Sequence, residues 1–313
     1  MKIAILITTR NRGEKLVKLL DSLKRSSKYI SEIVIVSSGV DIGKDIDGFR
    51  NSLSINHYHS EIPGQIYQKI KGIELINQNI EWVLLLDDDV EISQEAIETL
   101  IHKYLSNPNY ESIFGFGLKI ENLYMPKFAP LTKTLLSLFG LYSKQKGIVL
   151  KSGHAQHYQN SDKEIETEWL NGISAWRLDA LCNYEPSFPL IDYAAYEDVI
   201  FSYKISRNKS LMFVPQVCVN TQDNESYKRL TYVNYKAGSY MRFLFVSDNS
   251  NLSKSWLIIA QLIRTIYFTF NGELNFSVQM RFRFAFFIWI DLLVALILRT
   301  DSRELLKKRY IKY

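Results

Sequence analysis

The stretch WVLLLDDDV at residues 82–90 constrains the fold of this chain more than any other part of its sequence. A short apolar run that stops at polar residues is typical of a buried strand at the centre of a mostly parallel sheet. Three adjacent carboxylates repel one another unless a positive group neutralises them, and a divalent cation such as Mg²⁺ or Mn²⁺ would do so. In an extended chain, Asp87 and Asp89 point to one side and Asp88 to the other. The alternative is a solvated acidic turn before a helix that starts near Ser93.

Composition limits the class of protein. The 313 residues are 47% hydrophobic, which allows a large core and argues against disorder. The net charge of +5 is concentrated in residues 299–313, and such a basic segment can meet nucleic acid or anionic lipid. Cys182 and Cys218 provide neither a disulfide framework nor zinc-ligand spacing, which fits a reducing compartment. The N-terminal residues lack the pattern of a signal peptide, so we expect a cytoplasmic location.

Strands and helices alternate through the first hundred residues. Apolar runs at 3–7 and 33–36 predict strands, and helical spacing of leucines between them predicts a βαβ unit with parallel strands. A third strand ends near His57–His59, and a helix is expected over 65–79. The sequence therefore predicts an α/β fold with a mostly parallel central sheet.

Polar residues follow three of these strands. In open α/β sheets, ligands bind beyond the carboxyl ends of the strands. Arginines there could meet a phosphate or a base, hydroxyls a sugar or a base, and carboxylates a metal. The residues that follow the apolar runs at 3–7, 33–36 and 82–86 include Thr8, Thr9, Arg10, Arg12, Ser38, Asp87, Asp88 and Asp89. Neither a Gly-x-Gly-x-x-Gly motif nor a Walker-type loop follows the first strand, so the pattern predicts another kind of nucleotide–metal site.

Several of these segments resemble the inverting family 2 glycosyltransferases of the GT-A fold. The similar segments are the opening ILITTRNR at 5–12, the segment PGQIYQKIKGI at 63–73 and the acidic strand end at 86–90. The resemblance implies that Asp87 approaches the sugar or ribose, while Asp89, with Asp87, holds a Mg²⁺ or Mn²⁺ ion that bridges the donor diphosphate. Lys69 stands where the family usually has an arginine, and Asp88 is placed on the donor side.

The second strand departs from the family pattern. The family often ends this strand with an aspartate that reads the base, but this chain has Ser37-Ser38-Gly39 there. Asp41 is a substitute for that aspartate. The resemblance therefore implies a nucleotide-sugar donor and leaves UDP-, dTDP- and GDP-sugars open.

Two later segments resemble the acceptor side of the family. Around 168–177, Trp169 offers a face on which a sugar ring could stack, and Asn171 and Gly172 follow. Burial of Trp169 and Trp176 in the core is the alternative, and we favour it for Trp176. The Glu-Asp pair at 197–198 matches a family motif at a helix start, where carboxylates also occur for structural reasons.

The resemblance gives this pair its roles. Asp198 is the base that takes the proton from the acceptor hydroxyl, and Glu197 orients the acceptor. A later histidine that sometimes completes the metal shell is missing, so Asn220, Asp223 or water would take its place. His154 and His157 are expected to be solvated loop residues.

The C-terminal part has a different composition. Helices are expected over 230–246, 256–270 and 284–298, and the last two are apolar. Basic residues flank the run at 284–298, and aromatic residues crowd its first half. Each run is shorter than the roughly 20 residues that span a bilayer. Such helices suit the headgroup boundary, with the basic tail on anionic lipid. A helical pair packed on the catalytic domain or across a dimer is the alternative.

Together these features predict a catalytic domain at 1–225 and a membrane-associated helical region at 226–313. The expected activity is inverting transfer of a sugar to a glycan or lipid-linked acceptor hydroxyl in surface polysaccharide or glycolipid assembly, at the inner face of the cell membrane. A nucleotidyltransferase is disfavoured because the first loop has a single glycine, at Gly13. A non-catalytic, membrane-associated nucleotide-sugar-binding or scaffold protein on this fold is a further alternative. Nucleic-acid binding is not expected, and a homo-oligomer is left open.

Overall fold

The computed structural model describes residues 1–121, 123, 129–182, 195–222, 230–273 and 275–310. The chain forms two compact units, each made of several segments. Unit 1 contains Met1–Leu123, Tyr158–Pro186 and Phe201–Asn224, and unit 2 contains Tyr124–His157, Ser187–Ile200 and Glu225–Tyr313. The last segment of unit 1 ends close to the predicted boundary at residue 225, but unit 2 also includes two earlier segments.

A single mixed sheet forms the centre of unit 1, and its strands follow the order β3-β2-β1-β4-β8-β6-β9-β5, with β7 beside β9. The strands are β1 (Ile3–Arg10), β2 (Ile30–Ser38), β3 (Ile55–Ser60), β4 (Trp82–Asp87), β5 (Val90–Ile92), β6 (Ile113–Ile120), β7 (Ile165–Thr167), β8 (Ser174–Arg177) and β9 (Ser210–Thr221).

The predicted parallel sheet corresponds to the first four strands in this order. β1 pairs in parallel with β2 and β4, and β2 pairs in parallel with β3. β8 is antiparallel to both β4 and β6, so the second half of the sheet is mixed rather than parallel. Residues 213–215, which the sequence predicts as a last short strand, are part of the longer β9. The register of β9 against β6 shifts where Leu118 pairs with Val214 and Lys119 with Cys218. Pro215 lies in this irregularity, where a missing backbone N–H costs no ladder hydrogen bond.

Helices cover the sheet and make up most of unit 2. They are α1 (Gly13–Lys24), α2 (Gly43–Asp47), α3 (Gln65–Leu75), α4 (Gln94–Thr99), α5 (Pro130–Leu138), α6 (Leu178–Leu181), α7 (Glu197–Ser206), α8 (Tyr232–Asp248), α9 (Lys254–Asn271), α10 (Val278–Ile297) and α11 (Ser302–Tyr310). Short 3₁₀ segments at Ser27–Tyr29 and Pro108–Tyr110 and a π-helical turn at Leu100–Leu105 complete the list.

The helices of unit 1 form where apolar residues recur at helical spacing. α1 buries Leu16, Leu19, Leu20 and Leu23 against the sheet. α3 ends at Leu75, four residues before the expected end, because Ile76 takes an extended conformation. Ser93 caps α4 as predicted, since its side chain accepts a hydrogen bond of 3.1 Å from the backbone N–H of Ala96.

The three C-terminal helices predicted from the apolar runs are present as α8, α9 and α10. They pack on one another inside unit 2, where the rings of Tyr235 and Phe268 stack with centroids 4.4 Å apart. The Tyr240 hydroxyl donates to the Asp291 carboxylate at 2.7 Å, which satisfies an acidic group inside an apolar helix. Among the residues described, none of the helices combines the length and the hydropathy that crossing a membrane requires.

Candidate functional site

The strand ends of unit 1 bring the predicted donor-side loops to one edge of the sheet. The parallel register places Thr8 opposite Asp87 and Arg10 opposite Ser38. The sequence-based prediction that these loops share the carboxyl edge is therefore confirmed. Arg10 and Arg12 are exposed at this edge, and Thr8 is half-buried.

Asp88 connects the ends of β1 and β4. It is 4% exposed, and it accepts a 2.6 Å hydrogen bond from the Thr9 hydroxyl and a 3.0 Å bond from Nη1 of Arg12. Burial raises the pKa of the Asp88 carboxyl, while the bond from Thr9 and the charge of Arg12 lower it. Both oxygens are engaged inside the protein, and the contact of Asp88 with a donor stays a prediction.

The strand alternation expected for the three carboxylates was wrong. β4 ends at Asp87, and Asp88 and Asp89 lie in a turn, so the two-residue periodicity of a strand does not apply to them. The turn lets one guanidinium contact both side chains, because Nη1 of Arg12 also lies 3.4 Å from Oδ2 of Asp89.

Asp87 and Asp89 are the carboxylates that could hold a metal. Asp89 is 8% exposed, and its backbone carbonyl accepts a 2.8 Å hydrogen bond from the N–H of Gln222. Asp87 is half-buried, and a Cβ placed on Gly172 would lie 3.7 Å from each of its oxygens. The described residues contain no group of three or more His, Cys, Asp and Glu side chains that could hold a metal. Two carboxylates fit Mg²⁺ or Mn²⁺ in a shell completed by phosphate oxygens and water.

Gln68 is a site residue that the sequence analysis missed. Its buried amide donates 2.8 Å hydrogen bonds to the carbonyls of Thr9 and Val36, which lie near the ends of β1 and β2. Lys69, the next residue on α3, is also buried at 6% exposure. A polar residue on the buried face of a predicted helix was the available signal for Gln68.

The end of β2 has histidine partners that the sequence analysis also missed. The hydroxyl of Ser37 lies 2.8 Å from Nε2 of His57 and 3.1 Å from Nδ1 of His59, both on β3. Burial lowers the pKa of His57, and the Asp41 carboxylate acts in the opposite direction. Asp41 is exposed and accepts a 2.9 Å bond from the N–H of Gly43, and the buried Ser38 hydroxyl has no hydrogen-bond partner in the described part of the chain.

The turn after β1 fits closely against the turn after β2. Asn11 has a φ of +58°, and its side-chain oxygen accepts a 2.8 Å hydrogen bond from the N–H of Val40. Gly39 has a φ of +82°, and a Cβ there would lie 2.1 Å from that oxygen. A side chain at position 39 would therefore be strained and would collide with Asn11.

The predicted acceptor residues of unit 1 differ in accessibility. Trp169 is 5% exposed and packs on Tyr158 with ring centroids 4.8 Å apart, so its burial favours the core alternative over a sugar-stacking platform. Trp176 lies in the core, as preferred. The Asn171 backbone N–H donates to the Tyr158 hydroxyl at 2.8 Å, but both polar atoms of its side-chain amide are buried without a partner among the described residues.

In unit 2, Glu197 and Asp198 begin α7 as predicted. Glu197 is 5% exposed, Asp198 is half-buried, and Oδ1 of Asp198 accepts a 2.8 Å hydrogen bond from the N–H of Val199. Tyr196, directly before them, has a φ of +80°, an unusual conformation for a bulky residue. Its hydroxyl accepts a 2.8 Å hydrogen bond from the N–H of Ala155, which ties the start of α7 to a loop of the same unit.

The expectation for the histidines holds for one of the two. His157 is exposed, but His154 is 8% exposed, with Nδ1 lying 3.1 Å from the Ser152 hydroxyl. The correction has a physical reason, because the polar loop folds back on itself through the Val149–Ala155 bridge and buries His154. Of the expected replacements for a metal-binding histidine, Asn220 is exposed on β9, and Asp223 lies outside the described residues.

One sequence family matches the part of the chain that contains this edge. The family described as "Glycosyl transferase family 2" matches residues 4–141, which contain all the predicted donor-side and metal-binding residues. No curated protein sequence matches the chain significantly.

Solved structures similar to this fold include three transferases. Residues 1–349 of S. aureus TarS in complex with UDP-GlcNAc give a TM-score of 0.58 and 15% identity, over 93% of this chain and 81% of that fragment. The mannosyltransferase PcManGT of Pyrobaculum calidifontis, in complex with GDP-Man and Mn²⁺, has a TM-score of 0.53 and 13% identity, over 97% of this chain and 85% of PcManGT. GalNAc-T7 with UDP, GalNAc and Mn²⁺ has a TM-score of 0.51 and 13% identity, over 96% of this chain and 57% of GalNAc-T7.

Proposed function

We propose that this chain, which has the GT-A fold and whose residues 4–141 belong to glycosyl transferase family 2, transfers one sugar from a nucleotide-sugar to an acceptor hydroxyl with inversion. The observation that carries the proposal is the carboxyl edge of the sheet in unit 1. There Arg12, Asp87 and Asp89 lie within the matched segment, at the ends of neighbouring parallel strands.

The donor diphosphate belongs at this edge. Arg12 is half-exposed, so its guanidinium can reach a phosphate while one nitrogen stays on Asp88. Asp87 and Asp89 would hold Mg²⁺ or Mn²⁺ together with the diphosphate. A bound cation of this kind stabilises the negative charge that develops on the departing nucleoside diphosphate. Lys69 supplies a further positive charge on α3.

The acceptor must lose a proton as its oxygen attacks the anomeric carbon. Asp198 takes that proton in our proposal, and Glu197 orients the acceptor. The backbone N–H of Val199 donates to the Asp198 carboxylate and positions it at the start of α7. In unit 1, Gly172 leaves room beside Asp87, and the side-chain amide of Asn171, which has no partner among the described residues, would contact an acceptor hydroxyl.

This proposal does not specify which nucleotide the sugar donor carries. TarS binds UDP-GlcNAc and PcManGT binds GDP-Man with Mn²⁺, so UDP- and GDP-sugars should be tested before dTDP-sugars. Ser37 occupies the strand end where an aspartate often reads the base, but it is buried, so His57 and His59 are the groups there that would donate to or accept from a base.

Two substitutions separate donor binding from transfer. Nucleotide-sugar affinity should be measured by calorimetry with Mn²⁺ and with EDTA, and transfer by release of the nucleoside diphosphate. Asp89→Ala should weaken Mn²⁺-dependent donor binding by at least tenfold, whereas Asp198→Asn should bind donor normally and transfer at least a hundredfold more slowly. Unchanged Mn²⁺-dependent affinity in Asp89→Ala would remove the metal assignment, and a fully active Asp198→Asn would remove the base assignment.

We also infer that α9 and α10 rest on an anionic bilayer at the inner face of the cell membrane. Six large apolar residues of α9 are exposed along one helical stripe, namely Trp256, Ile259, Leu262, Ile266, Tyr267 and Phe270. On α10, Phe282, Phe286, Phe287, Val294 and Ile297 are exposed as well. Exposed apolar surface of this extent is typical of a binding surface rather than of solvated helices.

Charge favours lipid over a protein partner. Among the described residues from 254 to 299, the exposed charged side chains are Arg283 and Arg299, and no exposed residue is acidic. A surface that combines aromatic, aliphatic and basic side chains is complementary to an anionic headgroup layer. α5 adds exposed Leu131, Leu135 and Leu138, and Gly140 behind it lies close to the Trp256 ring. A lipid-linked or surface-glycan acceptor fits this location.

A further inference from the structure

In unit 2, the buried Arg242 and the half-buried Arg264 have no acidic partner among the described residues. Arg242 on α8 is 6% exposed, and Arg264 on α9 is half-buried. In the described part of the chain, neither guanidinium forms an ion pair with a carboxylate. Arg242 donates to the carbonyl of Gly238 at 3.1 Å, and Arg264 donates to the side-chain carbonyl of Gln261 at 3.3 Å.

The two guanidiniums also repel each other. Burial, together with the positive charge of Arg242, lowers the pKa of Arg264 to about 9. Arginine stays protonated in proteins, so both charges are present at neutral pH. Two like charges held away from water without a counter-ion destabilise a fold, unless an anion is bound there when the protein works.

Aromatic rings hold the two arginines in place. The guanidinium carbon of Arg242 lies 4.3 Å from the ring centroid of Tyr196, and that of Arg264 lies 5.3 Å from that of Tyr235. Cation–π contacts fix the planes of the guanidiniums but leave most of their N–H donors unused. The buried Nε of Arg242 has no hydrogen-bond partner among the described residues.

His154 is a third group of this cluster. Its Nε2 is buried without a hydrogen-bond partner in the described part of the chain. The charges of Arg242 and Arg264 both act on its imidazole. The neighbouring Gly153 packs against Arg242, because a Cβ placed there would lie 3.2 Å from the Cγ of that arginine. Arg242 and His154 therefore each have a buried nitrogen without a partner among the described residues, and the charge of Arg264 acts on both side chains.

We propose that Arg242, Arg264 and His154 form an anion site that binds a phosphate group of the acceptor. The site adjoins the predicted base, since Tyr196, which packs on Arg242, lies two residues before Asp198 and feels its charge. Planar guanidiniums match the tetrahedral oxygens of a phosphate. Arg264 and Tyr196 are each partly exposed to solvent. This identification of a phosphate-bearing acceptor rests on the proposed glycosyl transfer, but the anion site itself does not.

Binding of inorganic phosphate to the full-length chain tests the anion site. The midpoint of thermal unfolding should rise saturably with phosphate at constant ionic strength, and Arg264→Gln should weaken the phosphate affinity at least tenfold. Arg283→Gln is the matched control, because it removes the same charge from an exposed position of α10. A phosphate response that is equal in the wild type, Arg264→Gln and Arg283→Gln would overturn the proposal.

A second variant does not depend on a ligand. Arg264→Met removes one of two repelling buried charges, so in phosphate-free buffer it should unfold at a higher temperature than the wild type, and it should not respond to phosphate. If Arg264→Met unfolded at a lower temperature than the wild type and still responded to phosphate, the proposal that Arg264 carries an uncompensated charge would be contradicted.

Competition identifies the source of the phosphate. Glycerol phosphate should compete with inorganic phosphate, whereas UDP with Mn²⁺ should bind to Arg264→Gln as it does to the wild type. Loss of UDP binding in Arg264→Gln would assign the cluster to the donor and overturn the acceptor assignment. Absence of UDP and GDP binding in the wild type, with the phosphate response intact, would instead contradict the proposed function and leave the anion site standing.

Discussion

At the scale of single residues, Arg12 organises the acidic strand end. It contacts Asp88 at 3.0 Å and Asp89 at 3.4 Å, and Thr9 completes the shell of Asp88. One exposed arginine therefore offsets the repulsion between two neighbouring carboxylates. The same guanidinium faces solvent on its other side, where a diphosphate can accept from it.

His154 makes a prediction about pH. Burial lowers the pKa of its imidazole well below the usual 6.5, and Arg242 and Arg264 lower it further. The native state therefore keeps His154 neutral, while the unfolded chain takes up a proton near pH 6.5. Its contribution to stability is fully present above that pH and is lost as the pH falls below it, by up to about 1.4 kcal/mol for each pH unit.

The measurement is urea unfolding in phosphate-free buffer at pH 7.5 and pH 5.5. The free energy of unfolding should fall at the lower pH in the wild type and should fall less in His154→Asn. His57 and His157 also have lowered pKa values and remain in both proteins, so the difference between them reports on His154. Equal losses in the two proteins would show that His154 is not the group responsible.

Chemistry at the residue scale was predictable only in part. The sequence indicated Thr9, Arg12 and the three aspartates, because polar residues directly after apolar strands meet at one edge. It did not indicate Gln68, Arg242 or Arg264, because these lie inside helices and their partners are distant in sequence. His154 was misassigned because a polar loop gives no sign that it will fold over its own histidine.

At the scale of elements, β1 and α3 fit together through a glycine. A Cβ placed on Gly72 would lie 2.2 Å from Cδ1 of Leu6, which points from β1 toward α3. Gly72→Ala should therefore destabilise the protein by about 1–3 kcal/mol through overpacking. Gly48→Ala is the matched control, because nothing lies within 4 Å of its Cβ position, and it should change stability little.

Chemical denaturation of both variants measures this difference. Equal free energies of unfolding for Gly72→Ala and Gly48→Ala would mean that α3 shifts away from the sheet at little cost. In that case, the position of Lys69 on the same helix would also be adjustable.

Most elements were predictable because their apolar periodicity is strong. β1, β2 and β4 are continuous apolar runs, and α1 and α4 have helical spacing and, for α4, a capping serine. The end of α3 was missed because neither a Gly nor a Pro follows Leu75. The length of β9 was missed because Pro215 lies inside the strand and neither a Gly nor a Pro marks its ends. The antiparallel strands were missed because β5, β7 and β8 have only three or four residues each.

At the scale of the whole molecule, the apolar surface of α9 and α10 predicts lipid binding. The full-length chain should float with vesicles that contain phosphatidylglycerol and should bind those of phosphatidylcholine alone more weakly. The double substitution Ile266→Glu with Phe270→Glu should reduce flotation at least tenfold, because it places two negative charges on the exposed stripe of α9. Val40→Glu is the control, since Val40 is 66% exposed in unit 1.

Other outcomes would assign the surface differently. Retained flotation of the double variant would contradict the bilayer proposal. Flotation that is absent in the wild type, together with a concentration-dependent dimer that the double variant abolishes, would assign the surface to a second copy of the chain. The sequence indicated this region as apolar and aromatic, but only the structure separates the exposed side chains from those that form the core of unit 2.

The position of Gln68 has a consequence for the order in which the carboxyl edge of the sheet in unit 1 assembles. Its amide is satisfied only when α3, β1 and β2 are all in place, because its two protons go to carbonyls on different strands. A buried amide without partners is unfavourable, so arrangements with one of these three elements detached are disfavoured. Formation of this carboxyl edge is therefore cooperative. In hydrogen exchange, we expect the amides of α3 and of the ends of β1 and β2 to open together, as one unit, rather than helix first.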